Sequence, residues 1–429
     1  MRFHRLQEWL DWQETLHPKR IDLRLERLAT VADALGLRLR PPPTVIVGGT
    51  NGKGTVATVV AALLQAMGFR VGLYTSPHLL RYNERVAVNG VPVSDDALCR
   101  AFAAADAARG PQTLTYFEFG TLAAVWLFRE MEVDFQVLEV GLGGRLDAVN
   151  LWDADVGAIS GVDLDHQEWL GSDREQIGRE KAGIMRAGRP VVLGEEDPPA
   201  SVLAAAEMLS APVVRLGRDY RLKPATGGLH WCWADHCTPL ELPPGMLPLF
   251  EGARGRNAAT ALAIVHLLGL QPRLSAGVLA QGLAAIPPAR LQRVQGRPEW
   301  LLDVAHNPQS ARELARWLAE YPVPGAVVAI VAVMADKDRG PMLEVLRDRI
   351  DAWVPIDLAL ARALPAAALA AELRERHGVE VLPARDVATA VRNATDRAGP
   401  DGRVVVFGSF MTVQAVIDAA ELAPGTPPT

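Results

Sequence analysis

The residue types and spacing best suited to chemistry in this sequence are those of Gly49-Thr50-Asn51-Gly52-Lys53-Gly54-Thr55. Gly48, Gly49, Gly52 and Gly54 remove Cβ atoms where a backbone must turn sharply and approach a ligand. Consecutive N–H groups at the mouth of a following helix face an anion there, and Lys53 can reach its terminal phosphates. Either Thr55 or Thr50 can offer a hydroxyl to magnesium. The usual phosphate loop has Ser or Thr directly after the lysine, whereas here Gly54 intervenes. A plain structural turn is disfavoured, because a lysine beside the positive end of a helix needs an anion to justify it.

Further polar groups fall at the ends of apolar runs. Glu139 closes one run and leads into Gly141-Leu142-Gly143-Gly144, a hard oxygen ligand followed by backbone that can approach closely. The alternative for Glu139 is a salt bridge at a loop. Thr75, Ser76 and His78 end a second run, and Asp163-Leu164-Asp165-His166 a third, with His166 either a metal ligand or a capped core histidine. Glu180 and Lys181 lie on a small-residue helix, where the lysine is open to a simple salt bridge. His230, Cys232, His236 and Cys237 have no zinc spacing, and their alternation with Trp231 and Trp233 fits a hairpin. Later in the chain, Asp303-Val304-Ala305-His306, Asp336-Lys337-Asp338 and Gly408-Ser409-Phe410 repeat the pattern of polar tips.

The elements that must hold these groups follow from periodicity. Amphipathic helices are expected at 5–15 and 22–36, with Asp22 as an N-cap. The β-branched run Val45–Val47 gives a buried strand, and Val56 to Ala66 a helix. Strands at Phe69–Thr75, Phe135–Val140 and Asp155–Ser160, a hairpin turning at Asn89-Gly90, and helices at 94–109, 115–131 and 173–186 follow. A β-rich patch spans about 218–242 and a helix runs from Asn257 to Leu268. Ile286-Pro287-Pro288-Ala289-Arg290 reads as a linker, beyond which strands near 300–304, 326–333, 351–355, 378–382 and 403–407 alternate with helices. The fold class is therefore α/β: an N-terminal P-loop ATPase domain with a parallel sheet over 1–286, and a smaller C-terminal Rossmann-like α/β domain over 287–429.

At 429 residues with 49% hydrophobic content the chain can fill two cores. A net charge of −6 without a basic run argues against a nucleic-acid partner. No apolar run approaches a membrane span, no signal peptide is visible, and no disordered tail is evident beyond Pro424. Three cysteines, Cys99, Cys232 and Cys237, look unlike a disulfide framework, so the cytoplasm is the expected compartment.

Along essentially its whole length the sequence resembles the folylpolyglutamate synthase family, within the Mur ligase superfamily. The resemblance rests on Gly49 to Thr55, Thr75-Ser76-Pro77-His78-Leu79, Glu139 to Asp147, Leu164-Asp165-His166, Glu180-Lys181-Ala182-Gly183-Ile184, Asp303 to Pro308 and Phe407-Gly408-Ser409-Phe410. Asp22-Leu23-Arg24-Leu25-Glu26-Arg27 and Leu114 to Glu118 look like the bacterial members that also act as dihydrofolate synthase. The chain departs from many members at Gly48, Val149, Ala289 and Arg254 to Arg256.

That resemblance implies ATP-dependent joining of L-glutamate to dihydropteroate and to reduced folates through an acyl phosphate, by a monomer. It implies a nucleotide held by Thr50, Asn51, Gly52, Lys53, Gly54 and Thr55, with Asn257, Arg290 and Asp303 on the far side of a cleft. Two magnesium ions are expected among Thr55, Ser76, Glu139 and His166. Asp22, Leu23, Arg24, Leu25, Thr115, Tyr116, Phe117, Glu118, Leu146, Asp147 and Ala148 would line the pterin-bearing substrate, and His306 and Ser409 would help receive glutamate. Lys53, His166, Lys181, Asp303, His306 and Ser409 would form the catalytic set, with Lys181 carbamylated, since an ammonium beside magnesium would repel it. A Mur-type cell-wall ligase is the nearest rival, but only about forty residues precede the loop, too few for its extra N-terminal domain. A nucleotide-dependent switch without ligase chemistry is the rival of another class.

Overall fold

The computed structural model describes residues 2–19, 21–225, 228–240 and 252–422. The end of the expected β-rich patch, at 241–242, and the tail beyond Pro424 lie outside these. The chain divides into two compact units, Met1–Ile286 and Pro287–Thr429.

In the first unit, strands β1 (Thr44–Gly48), β2 (Val71–Tyr74), β3 (Val86–Val88), β4 (Val91–Pro92), β5 (Phe135–Glu139), β6 (Val156–Ile159), β7 (Val191–Leu193) and β8 (Val213–Arg215) form one sheet. Their order is β4-β3-β2-β5-β1-β6-β7-β8. Strands β2, β5, β1, β6, β7 and β8 are parallel, and the β3–β4 hairpin pairs antiparallel at one edge. Asn89 and Gly90 carry that hairpin with φ of 51° and 73°, the positive values a tight strand connection needs. Every residue of β1 is buried, as befits a central strand covered on both faces. Val45 and Val47 pack with the helices Lys53–Ala66 and Gly252–Leu267, while Ile46 packs on the other face with Asp95–Arg109 and Tyr116–Glu130. Because β2 and β5 lie on one side of β1 and β6 on the other, the carboxyl end of β1 is a topological switch point, where open α/β sheets bind ligands.

Several expectations are corrected. Asp22 caps no helix: the second helix is Glu26–Ala34 with Leu25 at its N-cap, because Asp22 is drawn into ion pairs with Arg24 and Arg27. The helix expected from Asn257 begins at Gly252, so Arg254 and Arg256 lie within it. The β-rich patch contains a three-stranded antiparallel sheet, β9 (Tyr220–Ala225), β10 (Gly228–Trp233) and β11 (His236–Leu240). Its register sets Cys232 opposite Cys237, and the two form a disulfide with Cα atoms 4.0 Å apart. Cys232 and Cys237 therefore pair although the cysteines look unlike a disulfide framework in the sequence, and Cys99 is left as a buried thiol.

The second unit is a six-stranded sheet of β12 (Gln292–Val294), β13 (Glu299–Leu302), β14 (Val327–Val331), β15 (Ala352–Pro355), β16 (Glu380–Val381) and β17 (Arg403–Phe407). The order is β12-β13-β17-β14-β15-β16, parallel except for the antiparallel edge strand β12. Among the described residues no helix is long and apolar enough to cross a membrane.

Candidate active site

The Gly49–Thr55 loop is built by removing side chains where others must enter. Gly49 has φ of 142°, and a Cβ there would lie 2.0 Å from the Ser160 hydroxyl. That hydroxyl donates to the Asn51 carbonyl at 2.6 Å. Gly52 caps the helix Lys53–Ala66 with φ of 88°, and a Cβ on it would meet the Asn257 side chain at 2.5 Å. Asn257 thus stands beside the loop within the first unit, not across a cleft. At Gly54 a Cβ would lie 3.3 Å from a Glu139 carboxylate oxygen, which explains why the residue after Lys53 is glycine: the carboxylate occupies that flank. Glu139 also accepts the Ser76 N–H at 2.8 Å, so it draws the ends of β2 and β5 to the loop.

The two candidate hydroxyls separate. Thr50 Oγ1 donates to the Asp163 carbonyl and accepts the Asp163 N–H, each at 3.0 Å, so it rivets the loop to the segment after β6. Thr55 is buried in the first turn of the helix Lys53–Ala66. Sequence patterns alone do not reveal the parts of Ser160 and Asp163.

Two lysines meet on one carbonyl. Lys53 Nζ donates to Gly49 O and Thr50 O at 3.1 Å each, and Lys181 Nζ donates to Gly49 O at 2.8 Å. Burial, and next the Lys53 charge, push the Lys181 ammonium down to about 7. Glu180 is engaged instead by Arg145 at 2.9 Å. His166 is no core histidine: it takes a left-handed φ of 50°, its side chain is 39% exposed, and its N–H binds Asp165 Oδ1 at 2.8 Å. Glu195, which the sequence did not single out, accepts the Val162 N–H and an Arg174 ion pair, and burial raises it to about 7.

The residues expected at the pterin divide by role. Thr115 and Glu118 form a reciprocal capping box at the start of Tyr116–Glu130, and Arg27 ties Glu118 to Asp22. Asp22 is held far below the usual carboxylate range, first by its hydrogen bond from Arg24. Asp147 caps the turn Ala148–Leu151 and accepts the Leu142 N–H at 2.8 Å, and its burial raises it to about 7. Phe117 lies on Gly141, where a Cβ would come within 2.6 Å of its ring. Tyr116 stands edge-on to Tyr82, and Arg85 lies over both rings while donating to His78 Nδ1 at 2.8 Å. Leu23, Leu25 and Leu146 are half-buried and Arg24 is exposed.

In the second unit Asp303 accepts the N–H groups of Leu291 and Ala305, both at 2.7 Å. His306 directs Nδ1 to the Val304 carbonyl at 2.8 Å, which makes Nδ1 a protonated, donating nitrogen. Ser409 caps the helix Phe410–Ala420 through the Thr412 N–H, and Arg290 lies 5.1 Å over the Phe410 ring. Among the described residues no group of three or more His, Cys, Asp or Glu side chains is placed to hold a metal ion.

Residues 47–221 match the Mur ligase middle domain, and residues 289–410 the Mur ligase, glutamate ligase domain. The dihydrofolate synthase/folylpolyglutamate synthase of Escherichia coli (strain K12) is 41% identical over 97% of this chain and 96% of its own length. The structure of E. coli FolC in complex with DHPP and ADP superposes with a TM-score of 0.89 at 39% identity, covering 97% of this chain and 98% of that one. A bifunctional folylpolyglutamate synthase/dihydrofolate synthase with Mn, AMPPNP and L-glutamate bound gives 0.88 at 43% identity, covering 98% of each chain.

Proposed function

The chain belongs to the dihydrofolate synthase/folylpolyglutamate synthase family of Mur ligases, and from that premise we propose that one phosphate loop serves both of its acceptors, dihydropteroate and reduced folates. It is an ATP-dependent amide-forming ligase that joins L-glutamate to these acceptors. The observation that supports the single-site reading is the Gly49–Thr55 loop at the end of β1, where Lys53 Nζ donates to the Gly49 and Thr50 carbonyls.

A carboxylate is a poor electrophile, and transfer of the terminal phosphate of ATP to its oxygen creates a leaving group that the glutamate amine displaces. Two anions must approach for this, and Lys53 offsets their repulsion. The oxygens of Thr55, Ser76 and Glu139 are hard donors that fit magnesium, and a second ion is proposed beside His166 and a carbamylated Lys181. Magnesium, when bound, lowers the charge crowding between nucleotide and acceptor. A Lys181 amine near neutrality at physiological pH is reactive toward carbon dioxide, and the resulting carbamate would replace a cation with an oxygen ligand. Tyr116 and Phe117 offer aromatic faces to the pterin. His306 and Ser409 are proposed to help receive glutamate. The protein is proposed to act as a cytoplasmic monomer.

Phosphate release should require ATP, L-glutamate and an acceptor together, and dihydropteroate and tetrahydrofolate should inhibit each other's reaction competitively. Additive rates with both acceptors present would refute the single site.

A further inference from the structure

Resting on the reading above, we propose that Arg27 is a positioning residue that sets the separation of the two walls of the acceptor site. Its guanidinium lies between two carboxylates that are almost wholly withdrawn from solvent: the side chains of Asp22 and Glu118 are 6% and 5% exposed, and that of Arg27 is 14% exposed. Nη1 meets Asp22 Oδ2 at 2.7 Å, and Nη2 donates to the Asp22 carbonyl at 3.0 Å. Nη2 also meets Glu118 Oε1 at 2.8 Å, and Nε donates to Glu118 Oε2 at 3.2 Å. The planar fork of arginine suits this two-sided grip, which a lysine ammonium cannot reproduce.

The acceptors of both carboxylates are already engaged. Glu118 Oε2 takes the Thr115 N–H and hydroxyl at 2.8 and 2.9 Å besides Arg27, and Asp22 takes both ends of the Arg24 guanidinium. Their function is then indirect: they are handles by which Arg27 holds the turn at 22–25 against the first turn of Tyr116–Glu130. Arg24 is mostly exposed and pairs with Asp22, whereas Arg27 pairs with carboxylates on both segments. The helices have independent anchors. Glu26–Ala34 buries Leu28, Val31 and Ala32, and Tyr116–Glu130 is buried along most of its length. Loss of the clamp should therefore loosen the rim of the site more than the fold.

The test uses the full chain with Arg27→Gln and Arg27→Lys, measuring KM for dihydropteroate, tetrahydrofolate, ATP and L-glutamate. Arg27→Gln should raise both acceptor KM values by about tenfold, since misplaced binding walls weaken positioning, with kcat at saturating acceptor and the ATP KM within about twofold. Arg27→Lys should fall between, keeping charge without the fork. Should Arg27→Gln fold poorly from its unpaired carboxylates, Arg27→Gln/Glu118→Gln removes one of them and should keep the raised acceptor KM while recovering Tm. Unchanged acceptor KM in either folded variant overturns the proposal, as does a fall in kcat with all KM values unmoved. A wild-type chain with no acceptor-dependent phosphate release would instead defeat the ligase reading itself.

Discussion

The carboxyl ends of the two parallel sheets are both lined with polar side chains, yet the groups there are used differently. Around β1, β5 and β6, two lysines point at one loop carbonyl and a carboxylate fills the flank of Gly54. Charge is gathered there beyond what the local backbone needs. Around β13 and β17, Asp303 holds two backbone N–H groups, His306 is fixed by Val304, and Ser409 caps a helix. Polar residues at a sheet edge are thus not equivalent. At the first edge lysine side chains converge on a glycine-rich loop, whereas the hydrogen bonds described at the second hold loop backbone and a helix end.

This contrast can be broken by mutation. Lys53→Ala should lower kcat by roughly a hundredfold or more while circular dichroism stays native, the scale of losing one transition-state stabiliser. A near-normal rate would mean that the loop's charge is as structural as that of the second unit.

Lys181→Met tests the same edge through pH. In the fold the lysine falls from 10.5 to about 7, mainly through burial. Between those values the unfolded chain binds a proton that the native site does not, so this lysine makes stability rise with pH across that window. Below about 7 both states are protonated and the burial penalty stands in full. In buffer free of carbon dioxide, Tm of the wild type should climb from pH 7 toward 10 more steeply than that of Lys181→Met, and parallel profiles would remove Lys181 from the charge cluster.

Ser409→Ala probes the opposite edge. Loss of the cap should cost about 1 kcal/mol, read as a fall in Tm of a few degrees. Activity at a temperature well below Tm should drop less than in Lys53→Ala, and an equal loss would erase the distinction. The smallest effect is expected at Ala289, a buried residue with φ of 55°. Ala289→Gly relieves a left-handed conformation but adds unfolded-chain entropy, for a net gain of about 0.5 kcal/mol by denaturant unfolding.

Much of the first edge is legible in the sequence because its chemistry is local: glycines, lysine and hydroxyls follow one another through a single strand–loop–helix unit. What fails is whatever depends on distant partners. Asp22 has the type of an N-cap, but two arginines outcompete the helix for it. Thr50 and Thr55 are indistinguishable until the Asp163 backbone claims one of them. Ser160 carries no motif, and its role exists only because Gly49 makes room for it. The hairpin holding Cys232 and Cys237 is visible in its alternation, but its register, which brings the sulfurs together, is not.

The rivets on the phosphate loop also bear on how tightly it can hold what enters. The Thr50 hydroxyl both donates to and accepts from the Asp163 backbone, and Ser160 clasps Asn51. A loop already fixed in one shape surrenders little conformational freedom when a ligand arrives, so less of the contact energy is consumed in ordering it. Cutting those rivets by Ser160→Ala would then shorten the residence time of a nucleotide through a larger koff, even though Ser160 need never touch it.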